Sequence, residues 1–165
     1  MGELNLNGEQ VSFDLDGQTP LLTILRDHLH LFGTRYGCGE EQCGSCMVLV
    51  DGRASYGCTR TLDSIAGKEV VTVEGLGSPT TPHPLQRAFL AEQAGQCGFC
   101  LSGMLISAAA LLKSNPAPDD HDVREALNGN LCRCGAHNRI VRAVLRAASE
   151  IAASKINGTS SNGPS

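Results

Sequence analysis

Apolar residues in this chain follow two regimes. Early on they fall in short alternating runs, and later they recur at helical spacing. Glu3 to Asn7 and Val11 to Leu15 alternate around a Gly8-Glu9 turn, the pattern of a hairpin with one wet face. Thr19-Pro20 then introduces Leu21 to Leu29, where Leu21, Leu22, Leu25 and Leu29 share one helical face. Thr34 to Cys46 is rich in Gly and poor in apolar residues and reads as an irregular loop. Met47 to Val50, Arg53 to Cys58 and Glu69 to Val73 read as further strands, which gives a β-grasp-like helix on a sheet.

Around Gly75 to Pro82 the composition shifts to Gly, Pro and Thr, and strand periodicity stops. Beyond it, Pro84 to Gln93 is amphipathic and Leu101 to Lys113 is apolar almost all round. Asp120 to Leu127 opens with acids, and Ala136 to Ser154 carries Ile140, Val141, Val144, Leu145 and Ala148 as a stripe. Four helices in so short a stretch predict a compact bundle. The expected fold class is α+β: a β-grasp domain over residues 1–76 and an all-α four-helix bundle over 77–156. Asn157 to Ser165 has almost no apolar content and is expected to be a disordered tail.

Composition narrows the function. A length of 165 residues with 41% hydrophobic content supplies two small cores. No run of 18 apolar residues occurs, and Met1-Gly2-Glu3-Leu4 has neither a basic nor an apolar leader region, so the expected location is the cytoplasm, without direct membrane insertion, unless a partner carries the chain to a membrane. A net charge of -4, few aromatic residues and no Trp argue against nucleic acid as a partner.

Eight cysteines form two four-ligand sets. Cys38, Cys43, Cys46 and Cys58 read C-x4-C-x2-C-x11-C, whose opening triplet is the spacing of plant-type 2Fe-2S ferredoxins. Cys97, Cys100, Cys132 and Cys134 read C-x2-C-x31-C-x-C, a different site. An oxidised 2Fe-2S cluster with four thiolates carries a charge of about -2 and needs many N–H donors around its sulfurs. Gly37, Gly39 and Gly44 let the first loop turn its amides inward. The second set uses another device: each pair precedes a predicted helix, so unpaired amides and the positive dipole end favour thiolate. Two such starts facing one another suggest local pseudo-two-fold symmetry. Structural zinc is the main alternative for the second set, weakened by its C-x-C half. A disulfide framework suits a reducing compartment poorly, and no C-x-x-C is followed by the His that covalent haem requires.

At Tyr36-Gly37-Cys38-Gly39-Glu40-Glu41-Gln42-Cys43-Gly44-Ser45-Cys46, Gln96-Cys97-Gly98-Phe99-Cys100 and Asn130-Leu131-Cys132-Arg133-Cys134 the chain resembles the small iron–sulfur subunits of the molybdenum hydroxylases, the xanthine oxidase family, over residues 3 to 152. The resemblance implies an N-terminal ferredoxin-like domain and a helical domain, each with one 2Fe-2S cluster and all eight cysteines as ligands. It further implies an electron relay from molybdopterin, expected in its cytosine dinucleotide form, on a large partner subunit. Gln96 and Cys134 then approach the pterin, and the first cluster faces an acceptor, a c-type cytochrome or a flavin-containing chain. Leu101-Ser102-Gly103 and Gly135-Ala136-His137 depart from the commonest pattern. They resemble the branch acting on N-heteroaromatic rings such as nicotinate and isoquinoline. Aldehyde- or xanthine-type dehydrogenases and a free ferredoxin-like carrier are the alternatives. No catalytic base is expected here. His137 reads as a first-turn helix residue, and Glu40 and Glu41 as solvated or acceptor-facing acids. Arg139, Arg142 and Arg146 line a helix face that is either solvated or partner-facing.

Overall fold

The computed structural model describes residues 2–159, with side chains through Lys155. Strands β1 (Gly2–Leu6), β2 (Glu9–Phe13), β3 (Met47–Val50), β4 (Arg53–Tyr56) and β5 (Glu69–Val71) form one mixed sheet in the order β2-β1-β5-β3-β4. β1 runs parallel to β5, and every other pairing is antiparallel. The first hairpin turns at Asn7-Gly8 rather than Gly8-Glu9, with φ of 53° and 87°. Asn-Gly is the pair that tolerates two left-handed residues, which sets the twist of a two-residue hairpin. Strand ends accordingly fall one or two residues earlier than the alternation alone suggested.

The first helix also differs from expectation. α1 (Leu21–Thr23) widens into a π-helical turn at Ile24–His28, closed by the Leu29 N–H on the Ile24 carbonyl at 3.1 Å. The wider turn brings Leu21, Ile24 and Leu25 all to full burial, whereas Leu29 remains half-buried at the end. These side chains pack with Leu4, Val48, Ile65 and Val70 as the core of the sheet half; Leu62 of the short α2 (Leu62–Ile65) joins them.

The helical half comprises α3 (Pro84–Ala91), α4 (Leu101–Ser114), α5 (Asp120–Ala126) and α6 (His137–Thr159). Its core joins Leu85, Phe89, Met104, Ala108, Val123, Ile140 and Val144. α6 continues through Thr159, into the stretch expected as tail, because each added residue gains a backbone bond once a helix exists; residues 160–165 lie outside the described residues. Strand β3 explains how the halves meet. All four of its residues are buried, Val48 and Val50 in the sheet core and Met47 and Leu49 against Ile106 of α4. A continuous apolar run is what a strand covered on both faces requires. Full burial of such side chains is worth roughly 1.5–3 kcal/mol each against about 1 kcal/mol for a typical hydrogen bond, so packing is the larger force between the halves. Among the described residues, no helix is long and apolar enough to cross a membrane.

Candidate metal centres

The loop ahead of β3 wraps its own amides around sulfur. The amides of Glu40 and Gln42 each donate to Cys38 Sγ at 3.3 Å, and that of Cys38 donates to Cys43 Sγ at 3.3 Å. Close approach requires Gly37, where a Cβ would stand 2.6 Å from Cys43 Sγ. The Glu40 and Gln42 amides lower the Cys38 thiol to about 7. Cys46, fully enclosed, is pushed up to about 12 by burial and lies against Cys58. Cys58 sits in the turn after β4 rather than within a strand. The Gly57 N–H donates to the Cys46 carbonyl at 2.9 Å, and that bond ends β4 and delivers Cys58 to Cys46.

The second set lies where two helices begin. Cys100 is the N-cap of α4, and Cys132 and Cys134 precede α6. The four cysteines, with Ala94 and Ala136, line one tight recess. The Phe99 amide, followed by Cys134, lowers the Cys97 thiol. Burial acts upward on Cys132, but the amides of Ala136, Cys134 and Gly135, together with Cys100, outweigh it and the thiol is lowered. Burial pushes Cys100 up to about 12.

Sulfur spacing discriminates between metals. Cys97 and Cys134 Sγ are 3.4 Å apart, and Cys100 meets Cys132. In the first set Cys38 meets Cys43 and Cys46 meets Cys58. Among the described residues, no three cysteine sulfurs lie within 4.8 Å of one another. A single tetrahedral zinc, with metal–sulfur bonds of about 2.3 Å, would hold every sulfur pair at about 3.7 Å. Two separate thiol pairs per set instead suit two metal ions per set, and the sulfur-only donors and inward amides suit 2Fe-2S.

Gln96 and Cys134 are brought together: the Gln96 side-chain amide donates to the Cys134 carbonyl at 3.3 Å, beside exposed Cys97. His137 is the exposed first residue of α6. The arginine face is engaged within the chain. Arg142 and Arg146 both bond Glu92 at the end of α3, at 3.2 and 3.3 Å, and hold its carboxyl below the usual range. Arg139 donates to the Gln93 carbonyl. Glu40 is exposed, and Glu41 accepts from the Thr59 hydroxyl. Sequence reasoning missed the contacts between the two thiol loops. Arg35 donates to the Gly98 carbonyl at 2.8 Å and covers the Phe99 ring at 5.4 Å. Asn130 and Leu131 bond the Gly44 and Cys43 carbonyls. Asn130 and Leu131 stand within a quoted motif, but nothing local signals their partners.

Comparison with known proteins agrees with this geometry. A 2Fe-2S iron–sulfur cluster binding domain matches residues 4–69, and a 2Fe-2S binding domain matches residues 72–145. A nicotinate dehydrogenase subunit from Pseudomonas putida is 50% identical over 145 residues, which covers 88% of this chain and 92% of that one. The chain belongs to the small iron–sulfur subunits of the molybdenum hydroxylases. The alpha chain of isoquinoline 1-oxidoreductase from Brevundimonas diminuta is 48% identical over 153 residues, covering 92% of this chain and all of the other. Aldehyde oxidoreductase from Desulfovibrio gigas superposes with a TM-score of 0.89 at 36% identity over 93% of this chain. This chain spans 17% of that longer one. An iron–sulfur subunit of the family carries two 2Fe-2S domains and serves an oxidoreductase in electron transfer.

Proposed function

We propose that this chain is the electron-relay subunit of a molybdopterin-dependent hydroxylase acting on N-heteroaromatic rings such as nicotinate. The observation that carries it is the Gln96–Cys134 hydrogen bond at the exposed edge of the second thiol set. That edge offers a polar surface to a large subunit holding molybdopterin, in its cytosine dinucleotide form. Cys97, Cys100, Cys132 and Cys134 would hold the cluster of the helical domain, residues 77–156, and Cys38, Cys43, Cys46 and Cys58 would hold that of residues 1–76. When bound, each 2Fe-2S group supplies a one-electron carrier. Amides of Glu40, Gln42, Phe99 and Ala136 offset thiolate charge, and Ala94, Ala136 and the enclosed Cys100 form the dry inner wall of the second site, whose Cys97 side stays exposed. The loop bearing Cys38, Glu40 and Glu41 faces the acceptor, a cytochrome or a flavin-containing chain. Eight unbridged cysteines suit a reducing cytoplasm.

The substrate class rests on similarity to the nicotinate dehydrogenase and isoquinoline 1-oxidoreductase chains. Aldehyde oxidation is the second reading, favoured by the superposition on an aldehyde oxidoreductase. Purification from the native host, with iron, molybdenum, flavin and haem quantified and N-heteroaromatics assayed beside aldehydes, tests both. A molybdenum-bearing partner that hydroxylates nicotinate-like rings is the expected result. Preference for aldehydes moves the assignment to the second reading, and iron without molybdenum or partner leaves a free carrier.

A further inference from the structure

The Ser45 hydroxyl lies 3.6 Å from Cys43 Sγ, within hydrogen-bond reach of an atom as large as sulfur. Ser45 is only 4% exposed, and among the described residues its Oγ has no other hydrogen-bond partner. Its backbone is fixed independently, because the Ser45 carbonyl accepts the Arg35 N–H at 3.1 Å. Gly37 closes over the pair: a Cβ there would stand 2.6 Å from Cys43 Sγ and 3.3 Å from Ser45 Oγ. The same sulfur accepts the Cys38 N–H at 3.3 Å. As a thiol, Cys43 can donate its proton to the Ser45 oxygen. As a metal ligand it is a thiolate with no proton to give, so the hydroxyl becomes the only donor of the pair. Without that reversal a buried hydroxyl would be left unpaired, which native structures rarely tolerate.

We propose that Ser45 tunes the first thiol site: its hydroxyl donates to the Cys43 thiolate and raises the reduction potential of the cluster held there. An added electron makes a 2Fe-2S group more negative and places part of that charge on its ligand sulfurs, so a donor aimed at such a sulfur favours the reduced state. The hydroxyl keeps its proton: one electron enters the cluster from the molybdenum-bearing partner, and no covalent bond forms or breaks. The amides aimed at Cys38 and Cys43 act in the same sense, but every residue except proline brings an amide. The hydroxyl is there only because position 45 is Ser, so the side chain at this one position sets part of the potential. The inference rests on the reading of the first thiol set as a 2Fe-2S site.

The test uses the iron-loaded full chain in a stepwise reduction by dithionite with mediators, the two sites told apart by their paramagnetic signals. Ser45→Ala removes the hydroxyl and leaves all eight thiols. It is expected to keep full iron and to make the first site harder to reduce. At the potential that half-reduces this site in the wild type, its reduced-to-oxidised ratio should fall roughly two- to tenfold, the span of one hydrogen bond of typical net strength. The site of Cys97, Cys100, Cys132 and Cys134 should titrate unchanged. Ser107→Ala makes the same change at another buried hydroxyl, on α4 beside the β3–β4 turn, and should leave both potentials where they are. A wild-type potential in Ser45→Ala, an equal shift at both sites or in Ser107→Ala, or a Ser45→Ala chain that no longer takes up iron overturns the proposal. A wild-type chain that binds zinc instead of iron overturns the cluster reading beneath it.

Discussion

Gln96 and Cys134, far apart in sequence, are joined by a 3.3 Å hydrogen bond from the Gln96 side-chain amide to the Cys134 carbonyl. The bond clips the start of the second thiol set to its end at an exposed edge. Losing it in Gln96→Ala removes about 0.5–1.5 kcal/mol, too little to empty a site held by four thiolates. Iron per chain is therefore expected to stay unchanged, while reduction of the iron–sulfur bands by a substrate-loaded large partner slows in stopped-flow traces. Loss of iron in this variant would show that Gln96 serves assembly instead.

Much of this was legible because its causes are local. The C-x4-C-x2-C and C-x2-C spacings, the shift of hydrophobic period near Gly75 and the helix starts behind each cysteine pair all lie within short windows. What escaped depends on partners distant in sequence. The π-helical turn at Ile24–His28 answers to a core on which β1, β3 and β5 all converge. The arginines of α6 had the right face but no visible partner, since Glu92 belongs to another helix. Asn130 looked like an ordinary loop residue until Gly44 stood opposite it.

Glu92 pins α3 to α6 through Arg142 and Arg146. The arginines hold its carboxyl low, so its contribution is present above the ordinary carboxylate range and lost as pH falls through the folded value. Glu92→Gln is expected to lower the melting temperature slightly at neutral pH and low salt. Because the pair is exposed, about 1 M salt screens it and should erase the difference. A penalty that persists at high salt would point to packing rather than charge.

In the metal-free chain the eight thiols should not react alike. Cys38, at about 7, is roughly half thiolate at pH 7, whereas Cys46 and Cys100, at about 12, are ionised to about one part in 100,000. Brief alkylation followed by peptide mass spectrometry is expected to label Cys38 first and Cys46 and Cys100 last. Raising the pH toward 9 should narrow the gap by ionising the ordinary thiols. Equal early labelling of Cys46 would contradict the enclosed position of its sulfur.

His83 opens α3, where its Nδ1 accepts the Leu85 N–H at 3.2 Å and the Gln86 side chain accepts the His83 N–H at 2.8 Å. An imidazole in this role must be neutral, because a protonated ring has no acceptor to offer. Half-burial, with Arg87 nearby, lowers its pKa below the ordinary value of 6.5. The unfolded chain therefore takes up the proton first as pH falls, and the stabilisation, complete above about 6.5, is lost through the lower folded value. Hydrogen exchange at Leu85 is expected to show strong protection at pH 7.5 that declines as the buffer is acidified. His83→Ala should lose about 0.5–2 kcal/mol at neutral pH and show no such pH dependence. Since α3 ends at Glu92 and leads directly into the Gln96 edge, acid fraying of this cap should also loosen the surface offered to the large subunit, read as partner dissociation over the same pH range.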